Sequence, residues 1–468
     1  MIKFLIFAVF FQLSFAHANQ NIYDAQFEKS VDFMIQNMTR PDIAAGAIIA
    51  APSKASPDYF YHWVRDAALT TEAALDLYKS GYLTPSQNKI LRQFFLDHIA
   101  FNQQLQKTSL LADGLGEPKF SVTGEVYSFP WGRPQNDGPA LRALSLIHIS
   151  EMATKENWPE AAQIKKTIYQ TELPTKSLVK SDLEYVAHKW QQANFDLWEE
   201  VYGLHFYTLM AQRKSLAVGA ATANYFLDFG AAKYYNQELQ KINADLEKFW
   251  DPVQKYILAT RFTSNRSKSQ LDSAVLLAVL HFNIDSDTFS ITDNRVIATF
   301  QTLKERFADI YYINKNENLG VAIGRYPEDT YTGYDINGAG NPWVLTTAAA
   351  AEFLYRTALE ISKMPALKIN SVNQKFFYSI KGTKKIRRGQ KFTNDDPEFR
   401  VLLQNLIAEG DSYLDRIIYH RNSDGSLSEQ INRESGYMQG APNLTWSHAG
   451  YLTAKIARDR AVKALQKY

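Results

Sequence analysis

Three observations predict an all-α fold. Apolar residues recur three and four apart over long segments, strand-like alternation is scarce, and clusters of Gly, Pro, Asn and Asp separate the segments. The first is the signature of helices with one buried face, and the last marks loops through turn chemistry. In chain order the spacing predicts helices over 66–77, 86–101, 138–155, 216–226, 238–249 and 343–362, with Ala, Leu, Glu and Lys between the apolar positions. Roughly a dozen helices are expected in all. Loops are expected at 134–139, 326–341 and 436–443. Connections of that length are unusual in a compact chain unless they build a site. Helix pairs arranged in a ring would bring every other loop to one rim.

Ahead of these helices the chain reads as a targeting segment. Lys3 supplies a positive start, Phe4 to Phe15 is an apolar run broken by Gln12 and Ser14, and Ala16-His17-Ala18 is a small-x-small cleavage signature. Cleavage is expected after Ala18, giving 1–18 as signal peptide and 19–468 as a single domain, secreted or periplasmic. A run of about 12 apolar residues is too short to span a bilayer. The remaining length exceeds the usual size of one core, yet no linker marks a division. Lys plus Arg number 51 against 49 Asp plus Glu, so no global field attracts nucleic acid or an anionic membrane, and neutral ligands suit the balance better. A monomer is expected. Cysteine is absent, which excludes a disulfide framework and leaves stability to core packing. The basic run 381–388 reads as a solvated surface excursion between helices.

Chemistry-bearing residues fall in five odd stretches in or beside the loops: Tyr59 to Asp66, Trp131 to Pro139, Asp196 to Glu200, Arg325 to Asp329, and Ser428 to Gln430. Acids beside aromatic rings suggest a pocket that grips sugar, since rings cover the apolar sugar face while Asp and Arg accept from and donate to vicinal hydroxyls. Tyr59, Trp63, Trp131, Trp198 and Trp343 are the candidate rings, and Arg65-Asp66 a candidate hydroxyl clamp. The plain alternative for Arg65-Asp66 is a salt bridge or a helix cap. Inverting glycoside hydrolysis needs a protonated acid at the leaving oxygen and an ionised carboxylate that activates water from the opposite face. Glu199 follows Trp198 and lies near Asp196 and Glu200, surroundings that favour a neutral carboxyl and suit a proton donor. Glu429 lies between Ser428 and Gln430, polar neighbours able to hold an ionised carboxylate and so suit a base.

The five stretches, in this order, closely resemble those of the glucoamylases, the exo-acting glycoside hydrolases of family 15. The match extends to Ala140-Leu141-Arg142-Ala143, Gly340-Asn341-Pro342-Trp343 and Leu444-Thr445-Trp446-Ser447, and so runs from Tyr59 to Ser447. The resemblance implies an (α/α)6 barrel with the active site in the funnel at one end. It implies Glu199 as general acid and Glu429 as general base, with Tyr59 near the attacking water. Arg65, Asp66 and Arg325 would hold hydroxyls of the terminal glucose, and Trp131 would pack near the scissile bond. Glu200 and the backbone of Leu197 and Trp198 would add substrate contacts. The substrate implied is an α-glucan, cut from its non-reducing ends with release of β-glucose, and no metal or organic cofactor is expected.

The chain departs from many family members in having no Cys and in stopping soon after its final helix, which argues against an appended starch-binding domain. The stretch 332–339 is expected to reshape the outer subsites. Asn443 stands where a charged residue is common. Two other readings share the same first subsite or the same fold: a relative specialised for α-1,6 linkages, isomaltose or trehalose, and a non-catalytic glycan-binding barrel. Retention of both Glu199 and Glu429 argues against the second.

Overall fold

Six helices stand side by side in a closed ring. In the structure, a computed structural model that describes residues 2–108, 114–263, 268–284, 288–383 and 386–466, with side chains from residue 20, the fourteen helices are α1 Ile2–Met38, α2 Val64–Ser80, α3 Pro85–Lys107, α4 Asp137–Lys155, α5 Ala161–Ile168, α6 Leu178–Lys189, α7 Phe206–Tyr225, α8 Phe229–Leu246, α9 Ala274–Phe282, α10 Asn294–Ile310, α11 Val344–Lys363, α12 Gln374–Ser379, α13 Pro397–His420 and α14 Thr445–Leu465. The ring runs α2, α4, α7, α9, α11, α14, each packed on the next, and α14 closes onto α2. Outside it α3 backs α2, α6 backs α4 and α7, α8 backs α7, α10 backs α9, α13 backs α11, and α1 backs α14. Inner and outer helices thus alternate along the chain, which is the (α/α)6 barrel.

The inner helices are buried around most of their circumference, and this explains where the helical periodicity misleads. Helix α7 begins at Phe206, ten residues before the expected 216, because Phe206 to Arg213 are buried one after another, including Thr208, Gln212 and Arg213. A helix enclosed on all sides has no amphipathic stripe to read. Helix α8 begins at Phe229 rather than 238, capped by Asp228, whose side chain accepts from the Ala231 N–H at 3.3 Å. It ends at Leu246 in a 3-10 turn, Glu247–Phe249, rather than running to 249. The exposed α3 follows the textual signals better. Thr84 and Gln87 form a reciprocal capping box and Pro85 opens the first turn.

One continuous apolar core extends from Tyr23 to Ala461, with a small satellite of Ala47, Val64, Phe101, Leu105 and Phe120 beneath the entry to α2. Helix α1 runs as one helix through the expected cleavage point, and the side chains up to residue 19 lie outside the described residues. Among the described residues no helix is long and apolar enough to cross a membrane. Of the basic run 381–388, Lys381 donates to the Glu317 carbonyl at 2.6 Å, and Lys384 and Lys385 lie outside the described residues.

Inner and outer rings are also tied by charge. Arg142 on α4 meets Asp182 on α6 through two hydrogen bonds of 2.8 and 2.6 Å, with both side chains buried. Removing one partner strands the other charge in the interior. Asp182→Ala is therefore expected to destabilise the fold by about 3–5 kcal/mol, read as a lowered urea midpoint with unchanged slope.

Candidate active site

The segments that lead into the inner helices meet at one end of the barrel. They line a cavity of about 430 Å³. Every site residue expected from the sequence lines it: Tyr59, Trp63, Arg65 and Asp66 at the start of α2, Trp131 before α4, Leu197, Trp198, Glu199 and Glu200 before α7, Arg325 and Trp343 before α11, and Glu429 before α14. Trp446, in the first turn of α14, also lines it, and on its other side borders a second cavity of about 640 Å³ between the C-terminal halves of the inner helices. Trp446 is thus a floor between the two.

Glu199 sits at the tip of a tight turn in left-handed backbone, φ 66°, a conformation that costs a non-glycine residue about 1–3 kcal/mol and persists where surroundings enforce it. Asp196 enforces it: its carboxylate accepts from the N–H groups of Glu200 and Val201, each at 2.8 Å, and its carbonyl accepts from the Glu199 N–H at 2.9 Å. Three donors converge on Glu199 Oε1: the Trp63 indole N–H at 3.0 Å, the Gln135 amide at 2.9 Å and the Arg65 guanidinium at 3.3 Å. Trp198, Asp196 and Glu200 do not supply the neutralising surroundings expected from sequence adjacency. The Trp198 indole donates to Asp272 at 2.9 Å, Asp196 serves the turn, and Glu200 faces Arg325. The ring that touches the acid is Trp63.

Glu429 is fully buried. Its backbone is pinned from three sides: its N–H donates to the Ala441 carbonyl, its carbonyl accepts from the Val344 N–H at the start of α11, and Gln430–Ile431 pairs antiparallel with Met438–Gln439. Gln430 donates to Oε2 at 3.2 Å, and Oε1 has no hydrogen-bond partner among the described residues. Burial pushes its carboxyl up to about 8, opposed by the nearby Tyr59 hydroxyl and the Arg325 charge. The polar neighbours expected to keep it ionised are thus outweighed by desolvation. Ser428 contributes its carbonyl to Ser447 instead, at 2.9 Å.

Around these acids the clamp residues form two ion-pair groups. Arg65, buried, donates to Gln135 at 2.9 Å and Asp137 at 3.0 Å as well as to Glu199, so most of its N–H groups are already engaged. Asp66, 3.8 Å from Arg65, is raised to about 7 by burial. Arg325 makes a two-point contact with Asp329, at 2.8 and 2.5 Å, and reaches Glu200 Oε1 at 2.8 Å. Against its own desolvation, Arg325 and Lys268 hold Glu200 below the usual carboxylate range. The indole N–H groups of Trp131 and Trp343 are buried without a hydrogen-bond partner among the described residues. Gln135, Asp137 and Asp329 lie within the stretches that the sequence marks, but sequence reasoning gave them no individual role. Nor did it single out Ala50, Pro57, Gly132 and Leu444 in the cavity wall. Tyr334 and Ile336, from the stretch 332–339, stand exposed at its mouth. Asn443, for its part, accepts from the His448 ring N–H on its side-chain oxygen at 3.2 Å and receives the Asn37 amide on its backbone carbonyl.

A family model for glycosyl hydrolases family 15 matches residues 28–455. A glucoamylase from Blastobotrys adeninivorans is 35% identical over 444 residues, covering 93% of this chain and 71% of that protein. The intracellular, sporulation-specific glucoamylase of Saccharomyces cerevisiae is 32% identical over 463 residues, 91% of this chain and 81% of that protein. The solved glucoamylase of Saccharomycopsis fibuligera superposes with a TM-score of 0.86 at 32% identity over 96% of each chain.

Two outcomes follow from the surroundings of Glu429. A Cβ at Gly440, where φ is 72°, would lie 2.4 Å from Glu429 Oε2, so Gly440→Ala is expected to displace the carboxyl and cut kcat at least about 100-fold while circular dichroism stays native. Because the folded state raises this carboxyl, it disfavours the ionised form. Its contribution to stability is therefore intact below pH 4.5 and lost as pH rises towards about 8. Glu429→Gln escapes that loss, so its Tm is expected to rise relative to the parent across that window; a gap that stays constant with pH contradicts the burial argument.

Proposed function

Because the chain belongs to the glycosyl hydrolases of family 15, we infer that it is a starch-degrading glucoamylase, a glucan 1,4-α-glucosidase. The observation that carries the reading is the pair Glu199 and Glu429, delivered by different inner-helix entries to one cavity closed below by Trp446. A cavity with a floor admits a chain end and stops it, which suits removal of one terminal glucose at a time.

In the proposed mechanism the terminal glucosyl unit occupies the cavity with Asp66 accepting from its hydroxyls and the Arg325 to Glu200 pair bordering it. Glu199 donates a proton to the glycosidic oxygen. Its Oε1 is saturated by three donors, so the proton is carried on Oε2. As the bond to the leaving oxygen breaks, positive charge develops on the ring carbon and its oxygen. Glu429, ionised, takes a proton from water through Oε1, and the water attacks the anomeric carbon from the face opposite the leaving group. The product is β-glucose and a chain shorter by one unit. Binding of hydroxyl donors to Asp66 and of water and developing positive charge beside Glu429 all favour the ionised forms that burial opposes in the free protein.

The sequence pattern of the first eighteen residues supports their removal and export, with 19–468 as a monomeric catalytic unit that stays off membranes and nucleic acid. One relative is named intracellular, so the leader rather than the family carries that reading.

The test is a hydrolysis panel of maltose, maltotriose, soluble starch, isomaltose and trehalose with the anomer followed by proton NMR. β-Glucose as the first product and preference for the α-1,4 substrates are expected. Initial α-glucose would sink the inverting assignment, and preference for isomaltose or trehalose would move the specificity to the related linkage. Glu199→Gln and Glu429→Gln are each expected to lose at least about 100-fold in kcat while still binding maltose.

A further inference from the structure

Lys119 is buried, and its ammonium lies over four aromatic rings at once: 3.9 Å from the ring centre of Trp131, 4.0 Å from Tyr127, 4.2 Å from Tyr61 and 4.3 Å from Trp63. Such a cage is the kind of site that elsewhere captures a cationic ligand. Here the chain fills it with its own side chain. The placement is set by backbone pairing, since His62–Trp63 pairs antiparallel with Lys119–Phe120 and puts Lys119 directly across from Trp63. Residues opposite each other on such a pair lie on the same face. Two flanking hydrogen bonds fix the register, Val64 N–H to the Pro118 carbonyl at 2.9 Å and Tyr127 N–H to the Lys119 carbonyl at 3.2 Å.

Two of the caged rings belong to the active-site wall. Trp63 and Trp131 line the cavity, their ring centres 6.0 Å apart at 61°, and the Trp63 N–H is one of the three donors to Glu199. A cation on the face of an indole draws electron density from the ring and leaves its N–H a stronger donor. We propose that Lys119 is a positioning residue for the hydrolysis, its ammonium locking the Trp63 and Trp131 wall and acting through the Trp63 N–H on the proton donor Glu199. This rests on the assignment of Glu199 as general acid.

The electrostatic surroundings agree with a coupling between the two groups. Burial draws the Lys119 amine down to about 8, while Glu199 and Asp58 favour its charged form and Arg133 disfavours it. The phenols of Tyr61 and Tyr127 complete the cage. On its other side Glu199 faces Arg65, with Asp66 and Asp137 beyond. Lys119 and Arg65 therefore both set positive charge beside Glu199.

The test compares Lys119→Met, which keeps the volume without the charge, with Lys119→Arg, which keeps the charge. The pH dependence of kcat/KM on maltose is the readout. Lys119→Met is expected to move the basic limb up by about half a unit or more and to lower kcat about tenfold, with KM changed less. Lys119→Arg is expected to keep the basic limb in place even where looser ring packing lowers the rate. A Met variant with the parent's limb and kcat overturns the proposal. Should the Met variant not fold, the parent still decides it. In protein labelled with 13C-lysine, one ε-carbon signal shifted by the ring faces is expected to titrate near the value above, and its midpoint is expected to fall in Glu199→Gln. An unchanged midpoint overturns the coupling. Full turnover by Glu199→Gln would remove the acid assignment instead, a result the titration leaves distinct.

Discussion

The constraint on which the rest depends is the closed ring of six inner helices that all begin at the same rim. Alternation with outer helices returns the chain to that rim before each inner helix, so the approach segments of α2, α4, α7, α11 and α14 wall one cavity and the approach to α9 supplies Asp272, which holds Trp198. Each helix start presents N–H groups without intrahelical partners and carries about half a positive charge. A rim made of such starts favours negative groups, which is where Glu199, Glu200, Asp66 and Glu429 are gathered. The ring closes only because α14, the last element, packs back on α2. The proposed catalytic pair therefore depends on contacts between residues nearly four hundred positions apart.

The two acids are held in opposite ways. Glu199 is fixed by three donors on one oxygen and by a strained turn, whereas Glu429 is buried with one oxygen unpartnered and its carboxyl raised to about 8. In the free protein burial favours a proton on Glu429, the proposed base. In the proposed mechanism Glu429 acts ionised, so substrate and water must reverse that preference as they enter. In that mechanism positive charge developing on the sugar ring stabilises ionised Glu429 at the moment it acts, and a group that gains stabilisation only in the transition state raises kcat rather than tightening ground-state binding.

Much of this was legible in the chain because family-like stretches mark loop residues, and loops entering a ring of helices converge. The expected site residues all reach one cavity for that reason. What misled was reading chemical surroundings from sequence neighbours. Trp198 and Glu200 adjoin Glu199 in the chain but turn towards Asp272 and Arg325, and the ring on Glu199 comes from Trp63, more than a hundred residues earlier. Helix ends were least legible where burial is greatest, as in α7, because enclosure on every side erases the apolar period. Lys119 lay beyond sequence reasoning altogether. A lysine in a two-residue strand carries no pattern, and only the pairing with Trp63 reveals that it is caged.

The floor formed by Trp446 connects architecture to the exo mode of attack. An (α/α)6 ring leaves an axial channel between its inner helices, and here that channel is divided by a buried indole, with the sugar cavity above and a mixed-charge basin below. The basin is lined by paired groups such as Glu72 with His148 at 2.7 Å and Glu352 with Arg356 at 3.0 Å. In the proposed mechanism the depth from rim to Trp446 sets which linkage stands between Glu199 and Glu429. On that reading end specificity belongs to the first turn of the last helix, set by where α14 enters the ring.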